Sequence, residues 1–146
     1  MSIIAPKITP PTIVSPYPGL SEIDNLLADR YLRTRRGLYR QLYWDWCIGD
    51  AWRDIPQDMP PQYMQAALRG SALRMDMVAV PIHDGPWELV EYRHNAGTGA
   101  IGAIICYRTL WPREAPPNPR CIIVTDYVRR DIRTVAEAHG IEIVQV

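Results

Sequence analysis

Apolar and polar positions alternate most clearly in two stretches near the middle of the chain, Arg74–Val80 and Trp87–Arg93, separated by His83-Asp84-Gly85-Pro86. Period-two patterning on either side of a Gly/Pro turn predicts a β-hairpin. On the second strand Trp87, Leu89, Glu91 and Arg93 share one face, while Glu88, Val90 and Tyr92 share the other. On the first, Asp76 shares a face with Arg74 and Val78. A turn centred on residues 83–86 sets Asp76 opposite residue 93, and so beside Glu91 and Arg93.

The rest of the chain divides by the same criteria. Residues 1–18 carry Pro6, Pro10, Pro11, Pro16 and Pro18 among Ile3, Ile4, Ile8, Ile13 and Val14. The prolines forbid a helix, and the β-branched residues imply an extended arm that packs on its own domain or on a neighbouring subunit. Residues 19–146 then read as a single domain. Ser21 opens a helix running to Arg36, with Ser21 and Asp24 at capping-box spacing, Ile23, Leu26, Leu27 and Tyr31 at helical spacing, and Gly37 as the stop. In the segment Leu38–Trp46 the spacing of Leu38, Leu42 and Trp46 is helical although its Tyr and Trp favour strand, and we read it as helix. Residues 54–61 form a loop, and a short helix follows over 62–68. After the hairpin and a turn at 95–99 come a helix from Ala100 to Trp111, a buried strand Cys121–Thr125, a helix Asp131–His139 capped by Gly140, and a strand Ile141–Val146. This order predicts an α/β sandwich around a mixed sheet.

Composition narrows the function classes. The 146-residue chain has a formal net charge of zero, so any attraction to nucleic acid has to be local. Its basic set is fifteen arginines and one lysine, Lys7, and it has eight tyrosines and five tryptophans but no phenylalanine. Arginine with Tyr and Trp suits interfaces and phosphate-facing surfaces, although compositional bias would give the same counts. Cys47, Cys106 and Cys121 have neither the number nor the spacing of a disulfide framework or zinc knuckle, and Cys106 and Cys121 read as small buried hydrophobes. No apolar run approaches the roughly 18 residues of a membrane span, and no secretory leader is visible. The expectation is an intracellular soluble protein, cytoplasmic or carried in a virus particle.

Two candidate sites emerge. Asp76 and Glu91, converging from adjacent strands, can hold a divalent cation, and a cation beside a basic side chain is the minimal machinery for cutting a phosphodiester. The plain alternative is a solvated Asp–Arg cross-strand pair, contributing a few tenths of a kcal/mol. Arg30, Arg33, Arg35, Arg36 and Arg40, alongside Tyr31 and Tyr39, form either a phosphate-tracking patch with rings for stacking or a helix end favoured by its dipole.

The hairpin and its flanking elements resemble the core of the PD-(D/E)XK nuclease superfamily over residues 73–146. That resemblance implies a restriction-endonuclease-like α-β-β-β-α-β core. It places Asp76 as the first acid, Glu91 as the second, and Arg93 where the family has the lysine that positions the attacking water. Ala103 and Tyr107 match a Gln-x-x-x-Tyr pattern on the following helix, with alanine replacing the glutamine. The first helix can supply a further acid, for which Glu22 is the candidate here. The resemblance implies Mg²⁺ as cofactor, if the site is active, and DNA as partner, with catalysis impaired or lost through Arg93. A second reading reuses the scaffold without catalysis, as a structural or adaptor protein of, for instance, a phage particle. There the arm and the Tyr/Trp/Arg surface would make contacts with a protein partner or a homo-oligomer.

Overall fold

The computed structural model describes residues 7–9, 17–35, 37–49, 56, 58–63, 67 and 73–146. Most of the proline-rich arm, Arg36, and much of the loop expected over 54–61 and of the helix expected over 62–68 lie outside the described residues.

Among the described residues six strands form one sheet in sequence order. The strands are β1 (Lys7–Thr9), β2 (Tyr39–Ile48), β3 (Leu73–Pro81), β4 (Glu88–Tyr92), β5 (Arg120–Thr125) and β6 (Ile141–Gln145). The helices bounded within the described residues are α1 (Glu22–Arg33), α2 (Thr98–Thr109) and α3 (Arg130–Ala138), and residues 61–63 are helical as well. β1 to β4 are antiparallel neighbours, whereas β4, β5 and β6 are parallel. Each parallel step needs a crossover, and α2 and α3 supply them. On one face Ala100, Ile101, Ile104 and Tyr107 of α2 and Ile132 and Ala136 of α3 pack with Leu89, Cys121 and Ile123. On the other, Leu27, Ala28, Tyr31 and Leu32 of α1 cover Met77, Val90, Tyr92, Ile122 and Val124. The sheet is mixed and flanked by helices on both faces.

Local chemistry explains the boundaries. Ser21 caps α1, its hydroxyl accepting from the Asp24 backbone N–H at 3.2 Å, and Glu22 and Asp24 sit at the positive end of the helix dipole. The helix ends at Arg33, three residues short of the expected Arg36, and Thr34 is its C-cap. Gly140 adopts φ +70° after α3 and lets the chain turn directly into β6.

Three expectations are corrected. Leu38–Trp46 is not a helix, because Tyr39–Ile48 is strand β2, paired along its length with β3. The aromatic and β-branched content outweighs the i, i+4 coincidence of Leu38, Leu42 and Trp46, since Leu42 and Trp44 pair edge-on with Ala79 and Met77 in a sheet buried on both faces. With β2 as a strand, the order from α1 to β5 is α-β-β-β-α-β. The hairpin register also differs. Met77 pairs with Val90 and Ala79 with Glu88, which brings Asp76 level with Glu91 rather than with residue 93. Val80 and Pro81 pair with β2 instead, so the β3–β4 connection is longer than a tight turn. Finally, Cys106 is exposed, on the outer side of α2, while Cys121 is buried.

β2 and β3 change sidedness near one end. Leu42 and Trp44 face α1, but Trp46 and Ile48 face the α2 layer, and likewise Met77 and Met75 lie in opposite layers. Asp45, between the two tryptophans, has φ +55°, a left-handed conformation that Asp tolerates better than most residues. Its carboxylate meets Arg74 Nε at 3.2 Å.

At the other end of β4 the buried Glu88 is fully partnered. Its Oε1 accepts from Tyr39 Oη at 2.6 Å and from Tyr31 Oη at 3.3 Å, and its Oε2 accepts from Arg120 Nη1 at 3.0 Å. These bonds tie α1, β2, β4 and β5 together. Tyr39→Phe removes the shortest of them while keeping the ring, so stability should fall by about 1–3 kcal/mol. Urea titration should show a lower midpoint with an unchanged slope.

Candidate active site

The β3–β4 ladder stops at Met77–Val90, and beyond it the two strands carry Asp76 and Glu91. Asp76 is fixed by the backbone, its Oδ2 accepting from the Tyr92 N–H at 2.8 Å. Glu91 is 3% exposed and faces the α2 layer between Leu89 and the chain's turn toward α2. Its Oε1 accepts from Arg93 Nη2 in an ion pair. Its Oε2 is buried with no hydrogen-bond partner. Tyr107 of α2 donates to the Arg74 carbonyl at 2.7 Å, and its hydroxyl lies close enough to Glu91 to act on that carboxyl as well.

The electrostatics follow from this geometry. Burial, and then the neighbouring Glu91, push the Asp76 carboxyl up to about 8, more than the Tyr92 N–H and Arg93 can offset. Burial also raises Glu91, against the pull of Arg93. Burial works against the Arg93 charge, but Glu91, Asp76 and Asp24 outweigh it and hold the guanidinium more firmly protonated. Two carboxylates are therefore confined where one cation offsets them incompletely. Such a pair fits a divalent cation, because carboxylate oxygens are its usual ligands and its charge is what the pocket lacks. Among the described residues no three His, Cys, Asp or Glu side chains gather as a metal cage. The pair would share the ion with backbone oxygen and water, as Mg²⁺ sites commonly do.

The structure brings Asp76, Glu91 and Arg93 together and adds neighbours. The acid contributed by α1 is Asp24, not Glu22. Asp24 acts electrostatically on Asp76, Glu91 and Arg93, and its Oδ1 accepts from the His94 N–H at 3.3 Å. Glu22 is exposed. In the sequence Asp24 stands out only by its capping spacing from Ser21, which does not separate it from Glu22, also in the first turn. Asp126, after β5, was not singled out from the sequence. It accepts from the Asn95 N–H at 2.9 Å and meets His94 Nδ1 at 2.6 Å. Its signal is its place just beyond the carboxyl end of a parallel strand, where α/β sheets gather ligands. Ala103 is half-buried, one turn before Tyr107.

The arginine stretch is divided. Arg30 and Arg33 are exposed on the last turns of α1, and Arg40 is exposed on β2. Arg35 is half-buried with its guanidinium 4.3 Å from the centre of the Tyr31 ring. Arg36 lies outside the described residues. Asp24 is near the acid pair at one end of α1, so Arg33 lies about 13 Å along the helix from it. The exposed arginines are therefore at the far end of the sheet from Asp76 and Glu91.

No protein-family model matches the sequence, and no curated protein matches it. A solved structure does match the fold. A repair endonuclease from Pyrococcus abyssi aligns over 91% of this chain with a TM-score of 0.51 and 18% sequence identity. The alignment covers 49% of the endonuclease, so this chain spans about half its length. The likeness is one of fold alone: a mixed sheet with flanking helices, consistent with a restriction-endonuclease-like core. Among the described residues no helix is long and apolar enough to cross a membrane.

The raised Asp76 carboxyl sets the sign of a pH effect. From about pH 4 to about pH 8 the folded protein keeps a proton that the unfolded chain has lost. Stability from this group is therefore greatest at low pH and declines across that window. Asp76→Asn should flatten the decline and stabilise the metal-free protein at pH 8 by on the order of 1–3 kcal/mol. In thermal melts at pH 8, Mg²⁺ should raise the transition of the parent protein but not that of Asp76→Asn.

Proposed function

We propose that this is a DNA-associated protein of nuclease fold that holds Mg²⁺ between Asp76 and Glu91 and hydrolyses phosphodiesters slowly, its activity impaired by Arg93. The observation that carries this reading is the buried acid pair itself: Glu91, whose Oε2 makes no well-formed hydrogen bond, stands level with a second carboxyl pushed up to about 8. Purely structural acids are normally satisfied by hydrogen bonds, as Glu88 is in the same strand.

A bound divalent ion would supply Lewis acidity and a more acidic water. The remaining work falls to the chain. Asp76, pinned by the Tyr92 N–H, and Glu91, pinned by Arg93, hold their carboxylates in place without rearrangement. Arg93, about half exposed, can direct its remaining N–H groups at a phosphate oxygen. It stays protonated, so it cannot accept a proton from water as a neutral amine could. It also neutralises one of the two charges that would attract the cation, which weakens metal binding. Both effects slow cleavage without abolishing the site.

DNA as the substrate class is supported by the fold shared with a repair endonuclease and by the exposed Arg30, Arg33 and Arg40, which can follow the backbone away from the acid pair. In the adaptor reading the arm serves a neighbouring subunit. Lys7–Thr9 instead pair with β2 of the same chain, which favours the first reading.

A cleavage assay on linear, branched and single-stranded DNA with Mg²⁺ or Mn²⁺ tests the proposal. Slow cleavage is expected from the parent protein, with a loss of at least about 10²-fold in Asp76→Asn and Glu91→Gln. Arg93→Lys should raise the rate by about tenfold or more, because lysine restores a titratable amine. Cleavage that continues unchanged in Asp76→Asn would place the chemistry elsewhere.

A further inference from the structure

The acid pair and Arg93 leave one requirement of hydrolysis unmet. Water must lose a proton as its oxygen attacks phosphorus, and the guanidinium beside Glu91 has no lone pair to receive it. The rim of the same site carries a group that does. His94 directly follows Arg93 at the carboxyl end of β4, and its backbone N–H lies 3.3 Å from Asp24 Oδ1. Asp24 is close enough for its charge to act on Asp76, Glu91 and Arg93. His94 thus adjoins Arg93, which is ion-paired to Glu91, and its backbone meets Asp24.

The imidazole is oriented. Its Nδ1 lies 2.6 Å from Asp126 Oδ2, and the other oxygen of Asp126 is held at 2.9 Å by the Asn95 N–H. Asn95 has φ +49°, and this turn places its N–H and the His94 ring on one carboxylate. A carboxylate on Nδ1 keeps the proton there and leaves a lone pair on Nε2. The ring is 57% exposed, and Nε2 has no hydrogen-bond partner among the described residues. A charged pair that only tied β4 to β5 would not need the ring, since the Arg93 N–H already donates to the Val124 carbonyl at 2.9 Å and the Ala96 N–H to the Tyr127 carbonyl at 3.0 Å.

We infer that His94 is the proton acceptor of the phosphodiester hydrolysis proposed above, with Asp126 as its positioning residue; the inference rests on that reading of the acid pair. Nε2 takes a proton from water as the water oxygen forms its bond to phosphorus. The phosphorus–oxygen bond to the departing sugar breaks, the sugar oxygen takes a proton from solvent, and His94 returns its own proton to solvent. One water is consumed, and a phosphomonoester and an alcohol form.

The test uses the full chain with Mn²⁺ and single-stranded DNA. His94→Ala should lower kcat about 10²-fold with KM little changed, and added imidazole should restore the rate in proportion to its concentration. In ¹⁵N spectra of the parent protein His94 should carry its proton on Nδ1, and in Asp126→Ala this tautomer preference should be lost together with most of kcat. Cleavage at the parental rate by His94→Ala, when Asp76→Asn is inactive, overturns the role of His94 and leaves the acid-pair site standing. A folded His94→Ala that is inactive and not rescued by imidazole also overturns it. No cleavage by the parent protein with either ion overturns both readings.

Discussion

The molecule is organised around two carboxylates buried at the point where β3 and β4 part. Like charges brought out of water repel, and each needs a hydrogen bond, a cation or a proton to remain. Asp76 has a backbone N–H, Glu91 has half of an arginine, and neither is fully compensated. The contrast with Glu88 is instructive because it lies three residues away on the same strand. There two tyrosines and an arginine satisfy both oxygens, and the result is a fastening between layers. One strand thus carries an acid whose needs are met by the fold and an acid whose needs are not. The rest of the architecture holds that second acid in place: α2 closes one face over it, α1 brings Asp24 to the other, and parallel β5 delivers Asp126 to the rim.

The parts of this arrangement that depend on local chemistry were legible in the sequence. The hairpin, the crossover helices, the buried strand Cys121–Thr125 and the cap at Ser21 follow from periodicity, turn residues and an N-cap hydroxyl. The convergence of Asp76, Glu91 and Arg93 was legible too, because a register displaced by two residues preserves which face each side chain occupies. What escaped was non-local. β2 was misjudged because Leu38, Leu42 and Trp46 fit a helix when considered alone, and only pairing with β3 decides the matter. The choice between Glu22 and Asp24 depends on how α1 lies across the strands. Asp126 is separated from His94 by thirty residues and a crossover, so no spacing rule connects them.

Arg93 deserves to be understood with its surroundings rather than as a missing lysine. Asp24, Asp76 and Glu91 all favour its charged form, so the environment that would tune a lysine reinforces a permanent cation instead. The charge is well suited to binding a phosphate and ill suited to moving a proton.

The left-handed Asp45 has a wider meaning. Alternation along a strand works like a reading frame, and in β2 that frame changes at Asp45 while β3 changes in step with it between Met77 and Met75. Trp44 and Trp46, two positions apart, are thereby assigned to different layers. A β-branched residue at position 45 would be strained at this positive φ, next to the Trp44 ring on which Tyr17 stacks at 4.4 Å. Sequence drift at this mostly buried aspartate is thus constrained by its left-handed backbone and its pairing with Arg74. Gly19 is bound into the same constraint, since a methyl group there would sit 2.8 Å from the Asp45 carboxyl carbon.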